Sequence, residues 1–440
     1  MALLDETAAE GSGPEWLVKG KLDEVIFCES FLWDTPYKRY GRHFYTVDGI
    51  VPDDETIKSE IYQTLKPYVN TQLSEKTKKL FEVMKLEAYT AEMPLAEDRI
   101  DVANGTLYLN GEFEENKCFC RNRLPVAYNP DAPQPEAWLR FLSDLLEPTD
   151  IQTLQEYMGY CLIPSTRAQV MLIIHGNGGE GKSRIGVIMQ TMLGKNAKNG
   201  SLSKVESSPF ARADLEGELV MIDDDMNMSA LKTTHNIKAM VSAEVPVDLE
   251  RKREQSYQGD MYVRFLAFTN GELISLYDHS EGFFRRQLIL SAKKKDPNRA
   301  DDPFLADKLK TEIEGIFLWC LEGLKRLLAN NYHFTESDQT KENRESARRD
   351  SQNVLLFLKS EGYIRLKADS TIPTADFYTL YCTWCQDNAL KPLAMNTVGK
   401  ILNQHVAEFN LEHDNHVRNA LGKLVNGYWG IEALVRPNII

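Results

Sequence analysis

Apolar residues recur along this chain with two periods, and the switches between them outline its elements. Ile57, Ile61, Leu65 and Tyr68 fall at helical spacing, as do Leu80, Phe81, Met84 and Leu86. Between 99 and 114 (RIDVANGTLYLNGEFE) short apolar runs break at Asn104-Gly105 and Asn110-Gly111, which predicts paired hairpins. A turn-rich stretch, YNPDAPQP at 128–135, marks a boundary. Helices are predicted over 136–146 and 149–162, the first with Trp138, Phe141, Leu142 and Leu145 on one side.

The pattern then changes to unbroken apolar runs between helices. VMLII at 170–174 predicts a buried strand, followed by a helix over 184–193 that ends at Gly194. Further strands are predicted at 219–222, 245–250, 262–268 and 287–291. Strands alternating with helices imply an α/β fold with a parallel sheet. Residues 304–330 are helical, with Leu305, Leu309, Ile313, Ile316, Phe317, Cys320, Leu324 and Leu327 along one side. The charged stretch 335–353 suits an exposed helix or a linker. Helices at 374–387 and 396–407, then short strands around Asn426-Gly427 within 418–434, fit a winged-helix module.

Composition narrows the class without naming it. The chain has 440 residues, 42% hydrophobic and 26% charged, enough for several soluble domains. No apolar run approaches a membrane span. The acidic start, MALLDETAAEGSGPEW, lacks the pattern of a signal peptide and reads as a short disordered lead-in. Seven scattered cysteines suit a reducing cytosol better than a disulfide framework, so a cytoplasmic location is expected. Cys118 and Cys120 lack a nearby partner pair for a metal, and Cys382 and Cys385 fall on an apolar helical face as core thiols. A net charge of −14 argues against a chain coated in nucleic acid, so any DNA contact must be concentrated.

Chemistry concentrates after the strand at 170–174. Gly176, Asn177, Gly178, Gly179, Glu180, Gly181, Lys182 and Ser183 fill every fixed position of G-x-x-x-x-G-K-[ST], the phosphate-binding loop. The glycines let successive N–H groups converge on a phosphate, Lys182 meets the β- and γ-phosphates, and Ser183 holds Mg²⁺. ATP and Mg²⁺ are therefore the expected cofactors. The strand at 219–222 runs into Asp223, Asp224 and Asp225, a Walker B pattern. Asp223 is expected on Mg²⁺ and Asp224 on the attacking water, with Asp225 able to substitute for either. Asn270, at the tip of the strand 262–268, suits a γ-phosphate sensor. Arg285 and Arg286, just before the last strand, suit an arginine finger acting across a subunit boundary. Arg251-Lys252-Arg253 would cap a hairpin, with Lys252 and Arg253 gripping single-strand phosphates in a channel. Tyr37, Lys38, Arg39, Tyr40, Arg42, His43 and Phe44 interleave bases and rings, either as a nucleic-acid surface or as the solvated face of a small module.

With these residues together, the chain resembles the superfamily 3 helicases, in the phage and plasmid primase–helicase branch that includes the poxvirus helicase. GNGGEGKS (176–183), PFARADLEGELVMIDDD (209–225), Lys238 with the hairpin after it, FTN (268–270) and FFRR (283–286) carry the likeness. NGTLYL (104–109) and the helical collar add to it. Two departures are Ala243-Glu244, where the family often has a Gly-acid step, and Asp224, where it often has Glu. The resemblance implies an AAA+ P-loop ATPase core with a helical collar before it and a C-terminal winged helix. The implied divisions are 1–94, a mixed N-terminal module; 95–165, a pre-ATPase region and collar; 166–295, the ATPase domain; 296–362, a helical region; and 363–440, the winged-helix-like domain.

It further implies a homo-oligomeric ring, expected to be a hexamer, that hydrolyses ATP and translocates on single-stranded or forked DNA with initiator, primase or polymerase partners. In the winged helix, Lys400, Asn403, Gln404 and His405 would lie on the recognition helix and Arg418 and Lys423 on the wing. Fewer than a hundred residues precede the matching region, so a helicase without priming activity is expected. Two other functions suit parts of the pattern: a DNA-binding initiator in which ATP only drives assembly, and a P-loop small-molecule kinase.

Overall fold

The computed structural model describes residues 13–435 except 19, 94, 229–230, 232, 253–254, 271–272, 274–279, 296–300, 352 and 391, and the backbone alone at 349–350. No helix among the described residues is long and apolar enough to cross a membrane. An N-terminal module comes first. It holds β1 (Leu17–Val18), β2 (Lys21–Leu22), α1 (Glu24–Asp34), β3 (Lys38–Tyr40), β4 (His43–Thr46), β5 (Gly49–Ile50), α2 (Asp54–Leu65) and α3 (Leu73–Glu87). Asp23 caps α1 by accepting from the Val25 and Ile26 N–H groups, and Asp53 caps α2 through Thr56. Ile57, Ile61 and Leu65, four residues apart, share one face of α2 and are fully buried against Leu80, Phe81 and Met84 of α3. Tyr68 and Leu86, expected on the same stripes, are exposed, because α2 ends before Tyr68 and Leu86 sits on the outer face.

The next segment forms a three-stranded antiparallel sheet, β6 (Arg99–Val102), β7 (Gly105–Tyr108) and β8 (Phe113–Glu114). Gly111 provides the positive φ that its turn requires. Gly105 is needed for a different reason: a Cβ there would stand 2.1 Å from the Glu114 carbonyl oxygen. Two collar helices follow, α4 (Glu136–Leu145) and α5 (Pro148–Tyr160).

The centre is a five-stranded, wholly parallel sheet. In chain order its region holds β9 (Met171–His175), α6 (Ser183–Leu193), β10 (Ala197–Asn199), α7 (Leu202–Ser207), α8 (Pro209–Ala213), β11 (Val220–Asp223), α9 (His235–Ser242), β12 (Val247–Leu249), β13 (Tyr257–Gly259), β14 (Arg264–Thr269), α10 (Glu281–Phe284) and β15 (Gln287–Ser291). The spatial order is β10-β11-β14-β9-β15. Along β9, Leu172 and Ile174 join the core shared with the collar, while Met171 and Ile173 join the core on the opposite face. Both faces are covered, which is why the run is apolar without alternation. Strands β12 and β13 form a separate antiparallel pair outside this sheet. The returning strand of that hairpin is thus Tyr257–Gly259, and the strand expected at 262–268 begins two residues later, at Arg264, as a member of the central sheet.

Helices α11 (Leu305–Lys310), α12 (Ile313–Ala329), α13 (Asp338–Ser351) and α14 (Asn353–Lys359) follow. The charged stretch is the helix α13, lying along the outer strand β15, where Asn343 donates to the Ile289 carbonyl and covers the sheet edge. The last segment holds β16 (Ile364–Pro373), α15 (Thr374–Asp387), α16 (Met395–Gln404), α17 (Val406–Phe409), β17 (Glu412–Arg418) and β18 (Leu424–Ala433), with its own core. Its sheet is antiparallel in the order β16-β18-β17. Strand β16 has no counterpart in the apolar pattern, since only Ile364 and Ile372 of its ten residues are buried. Asn426-Gly427, expected near a turn, lies inside β18. The turn is made by 419–423 with Gly422 at positive φ, and Gly427 leaves room for the Ile372 carbonyl, 2.4 Å from where a Cβ would be.

Candidate functional site

Three adjacent parallel strands, β9, β14 and β11, end on one edge of the central sheet, where open α/β sheets bind ligands. From the end of β9 the chain enters Gly176–Gly181 and then α6. Gly178, Gly179 and Gly181 lie at φ between +80° and +101°, a region that side chains disfavour. Gly176 makes room differently: a Cβ on it would stand 2.5 Å from Lys182 Nζ. Lys182 is buried. Its ammonium donates to Glu180 Oε2 at 2.7 Å and to Asn270 Oδ1 at 2.8 Å. Glu180 is buried as well. Its carboxylate accepts the Asn177 N–H at 2.5 Å and the Gly178 N–H at 3.0 Å. Burial alone would push the Glu180 carboxyl up. The Lys182 hydrogen bond and the loop N–H groups outweigh burial and hold it below the ordinary value.

Because β14 lies between β9 and β11, Asn270 at its tip is set between the glycine loop and the acids. Asp223 ends β11 and is buried, with Oδ2 accepting from the Leu202 N–H at 2.8 Å and Oδ1 from the Asp225 N–H at 3.4 Å. Burial pushes its carboxyl up. Asp224 is exposed and lines a cleft of about 930 Å³ together with Gly179, Gly181, Lys182, Ser183 and Asn270. That volume is the size of a cofactor site. The far wall comes from Ala137, Arg140 and Phe141 of α4 and from Pro303, Leu305 and Lys308. These wall residues carry no signal in the sequence, where α4 shows only its core stripe. Helix α4 is held there by Glu312, which accepts from the Ala137 and Trp138 N–H groups at 3.0 Å.

Arg285 and Arg286 stand at the other end of the sheet. The Arg286 carbonyl accepts from the Met171 N–H, so five residues of β9, roughly 16 Å at strand rise, separate them from the loop. Arg285 is exposed. Arg286 is engaged within the chain, its Nε and one terminal nitrogen on Ser242 Oγ at 3.0 and 2.8 Å and the other on the Gly282 carbonyl at 2.6 Å.

The basic run divides. Lys252 is exposed at the hairpin end, and Arg253 lies outside the described residues. Arg251, expected at the tip with them, lies just past the last paired residue, Leu249, and is tied back to the chain, donating to Glu216 Oε2, the Ala213 carbonyl and Tyr257 Oη, each at 3.1 Å. Tyr257 also donates to Glu216 at 2.6 Å. The N-terminal module reaches the same point, with the Arg42 guanidinium 4.2 Å from the centre of the Tyr257 ring and His43 Nε2 3.9 Å from Glu216. Arg42 and His43 belong to the basic and aromatic run 37–44, so part of that run is an internal joint. In the last segment, Lys400, Asn403 and Gln404 are exposed on α16. His405 contacts Glu408 just beyond it, and Arg418 and Lys423 are exposed at the β17–β18 turn. Among the described residues no group of three or more His, Cys, Asp or Glu side chains could hold a metal ion. Cys120 is buried, its thiol pushed up to about 12 mainly by that burial, and Cys118 is exposed.

A family model described as a family of unknown function (DUF5906) matches residues 174–286, from the end of β9 to the arginine pair. No curated protein matches the chain. Among solved structures, the apo structure of the NrS-1 C-terminal region (305–718) is similar with a TM-score of 0.51 at 10% identity, over 93% of this chain and 99% of that one. An A-form apo structure of the same region gives 0.50 at 10% identity, with shares of 93% and 99%. Another A-form structure of it also gives 0.50 at 10%, over 93% of this chain and 100% of that one. At this identity the likeness speaks to the fold alone.

Proposed function

We propose that this chain is a Mg²⁺-dependent ATPase of the AAA+ P-loop type, working as a homo-oligomeric ring that moves on single-stranded DNA and unwinds forks during replication of a mobile element. The observation that carries the reading is the buried Lys182, held inside a glycine cradle and hydrogen-bonded to Asn270 at the mouth of a cleft that Asp224 lines. The cradle fits an anion, since a carboxylate already accepts two of its N–H groups and the lysine. In this reading Gly176–Ser183 binds the triphosphate and Lys182 meets its β- and γ-oxygens. Ser183 and Asp223 would hold Mg²⁺, which when bound neutralises charge on the transferred phosphoryl group. Asp224, facing the cleft, orients the attacking water and takes its proton, and Asn270 positions that water. Phe141, Pro303 and Leu305 offer apolar surface for a base. Arg285, too far from its own loop, reaches a neighbour's phosphate. Lys252 holds DNA, and the C-terminal segment is read as a winged helix.

ATP turnover by the purified chain, with and without single-stranded DNA, tests this. Turnover should rise with DNA, and Lys182→Ala should lower it by about 100-fold or more. Turnover retained in that variant refutes the site. Turnover present but indifferent to DNA favours the small-molecule kinase, and duplex binding without strand separation favours the initiator.

A further inference from the structure

The Glu180 side chain takes no part in the ATP hydrolysis proposed above, yet it is one of the most enclosed charged groups among the described residues, 2% exposed. Its side chain points back into its own loop rather than out to solvent. Both carboxylate oxygens are used: Oε1 on the Asn177 N–H, Oε2 on the Gly178 N–H and the Lys182 ammonium. Converging backbone N–H groups plus a lysine are the donor set that a glycine-rich loop offers to a phosphate. Two anions cannot share those donors, because like charges at such spacing repel strongly where water is excluded. We propose that Glu180 is a built-in substitute for a phosphate group, which a nucleoside triphosphate must displace in order to bind. This rests on the nucleotide reading of the loop and adds to it a regulation of affinity.

The consequence is thermodynamic. Affinity is lowered by the fraction of molecules in which the carboxylate is in place, and only ligands that need the β- and γ-sites feel it. Displacement also frees Lys182 from Glu180 and Asn270 together, so arrival of the triphosphate releases the Asn270 amide to meet the γ-phosphate or water. The loop and the tip of β14 thereby change partners in one step.

The test compares ATP and AMP binding to the full-length chain by calorimetry for wild type, Glu180→Gln, Glu180→Ala and Lys182→Ala, with thermal melts confirming that each variant is folded. Both Glu180 variants should bind ATP about tenfold more tightly or better, the size expected when a charge-assisted competitor is removed. Their AMP affinity should be unchanged. The variants without nucleotide should melt lower than wild type, and ATP should raise their melting temperature by more. ATP binding that is unchanged or weaker in both Glu180 variants, while Lys182→Ala abolishes it, overturns the displacement and leaves the nucleotide site standing. A wild-type chain that binds no ATP, in company with all the variants, overturns the nucleotide reading itself.

Discussion

Glu216 and Glu218 stand two residues apart and titrate in opposite directions, because one gained hydrogen bonds that outweigh its burial and the other has only a lysine 4.0 Å away. Burial pushes the Glu216 carboxyl up, but the His43 ring beside it and hydrogen bonds from Tyr257 and Arg251 outweigh it and hold the group at about 2. Its folded value lies below the ordinary 4.5, so its stabilisation is full above 4.5 and is lost as pH falls toward 2. Glu218 is pushed up to about 7 by burial that Lys198 only partly offsets, and its Oε2 has no hydrogen-bond partner among the described residues. The folded chain holds this proton longer than the unfolded chain does, so Glu218 erodes stability as pH climbs from 4.5 to 7. Glu218→Gln should therefore raise stability at pH 8 by on the order of 2 kcal/mol and leave it nearly unaltered at about pH 4.5. Melting curves across that range check it, and parallel pH profiles for the two proteins would sink it.

At the level of elements, the collar and the closing helix α12 meet at close range through glycine, beside side-chain contacts such as Trp138 on Trp319. A Cβ on Gly159 would stand 2.3 Å from the Cys320 carbonyl oxygen, and one on Gly323 would stand 2.2 Å from that of Gln155. The two backbones are thus in reciprocal contact, and neither can give way without parting the helices. Gly159→Ala and Gly323→Ala should each destabilise the chain by about 1–3 kcal/mol, despite the gain in helix propensity that alanine normally brings. Denaturant titration decides, and a neutral or stabilising result would place the helices farther apart. The loop end of the β12–β13 hairpin is held by Glu216. Glu216→Gln removes the carboxylate that collects Arg251 and Tyr257, so stimulation of ATP turnover by single-stranded DNA should fall several-fold. Lys252→Ala should abolish that stimulation, and stimulation surviving in the Lys252 variant would end the hairpin's proposed role.

For the whole molecule, the arginine pair sits at the opposite end of the sheet from the glycine loop. Under the proposed function, a residue in that place would act on a phosphate only in a neighbouring copy, and this geometry is the motive for proposing a ring. Arg285→Ala and Lys182→Ala proteins should each be inactive alone. Mixed together they should regain part of the ATP turnover, since some seams then pair an intact loop with an intact arginine. A mixture as inactive as its components would remove Arg285 from the mechanism. Arg286→Ala should instead lower the melting temperature, because its guanidinium ties α9 to α10 through Ser242 and Gly282.

What local order can encode is legible in the chain itself. Strand β15 and helix α15 coincide with their predicted spans, and the glycine loop, the acids after β11 and the turn glycine Gly111 are readable because each depends on neighbours a few residues away. Strand β16 is not, since a strand with two buried residues in ten carries almost no period. Nor does the chain order say that β14 enters between β9 and β11 and brings Asn270 to Lys182, 88 residues apart. The same limit hides Arg251, which reads as one of three equal cations and is set apart only by Glu216 and Tyr257 folding against it. Spacing along the chain selects the elements and the chemical groups. Which groups meet is decided by long-range pairing of surfaces that must bury apolar area and find partners for most enclosed polar groups.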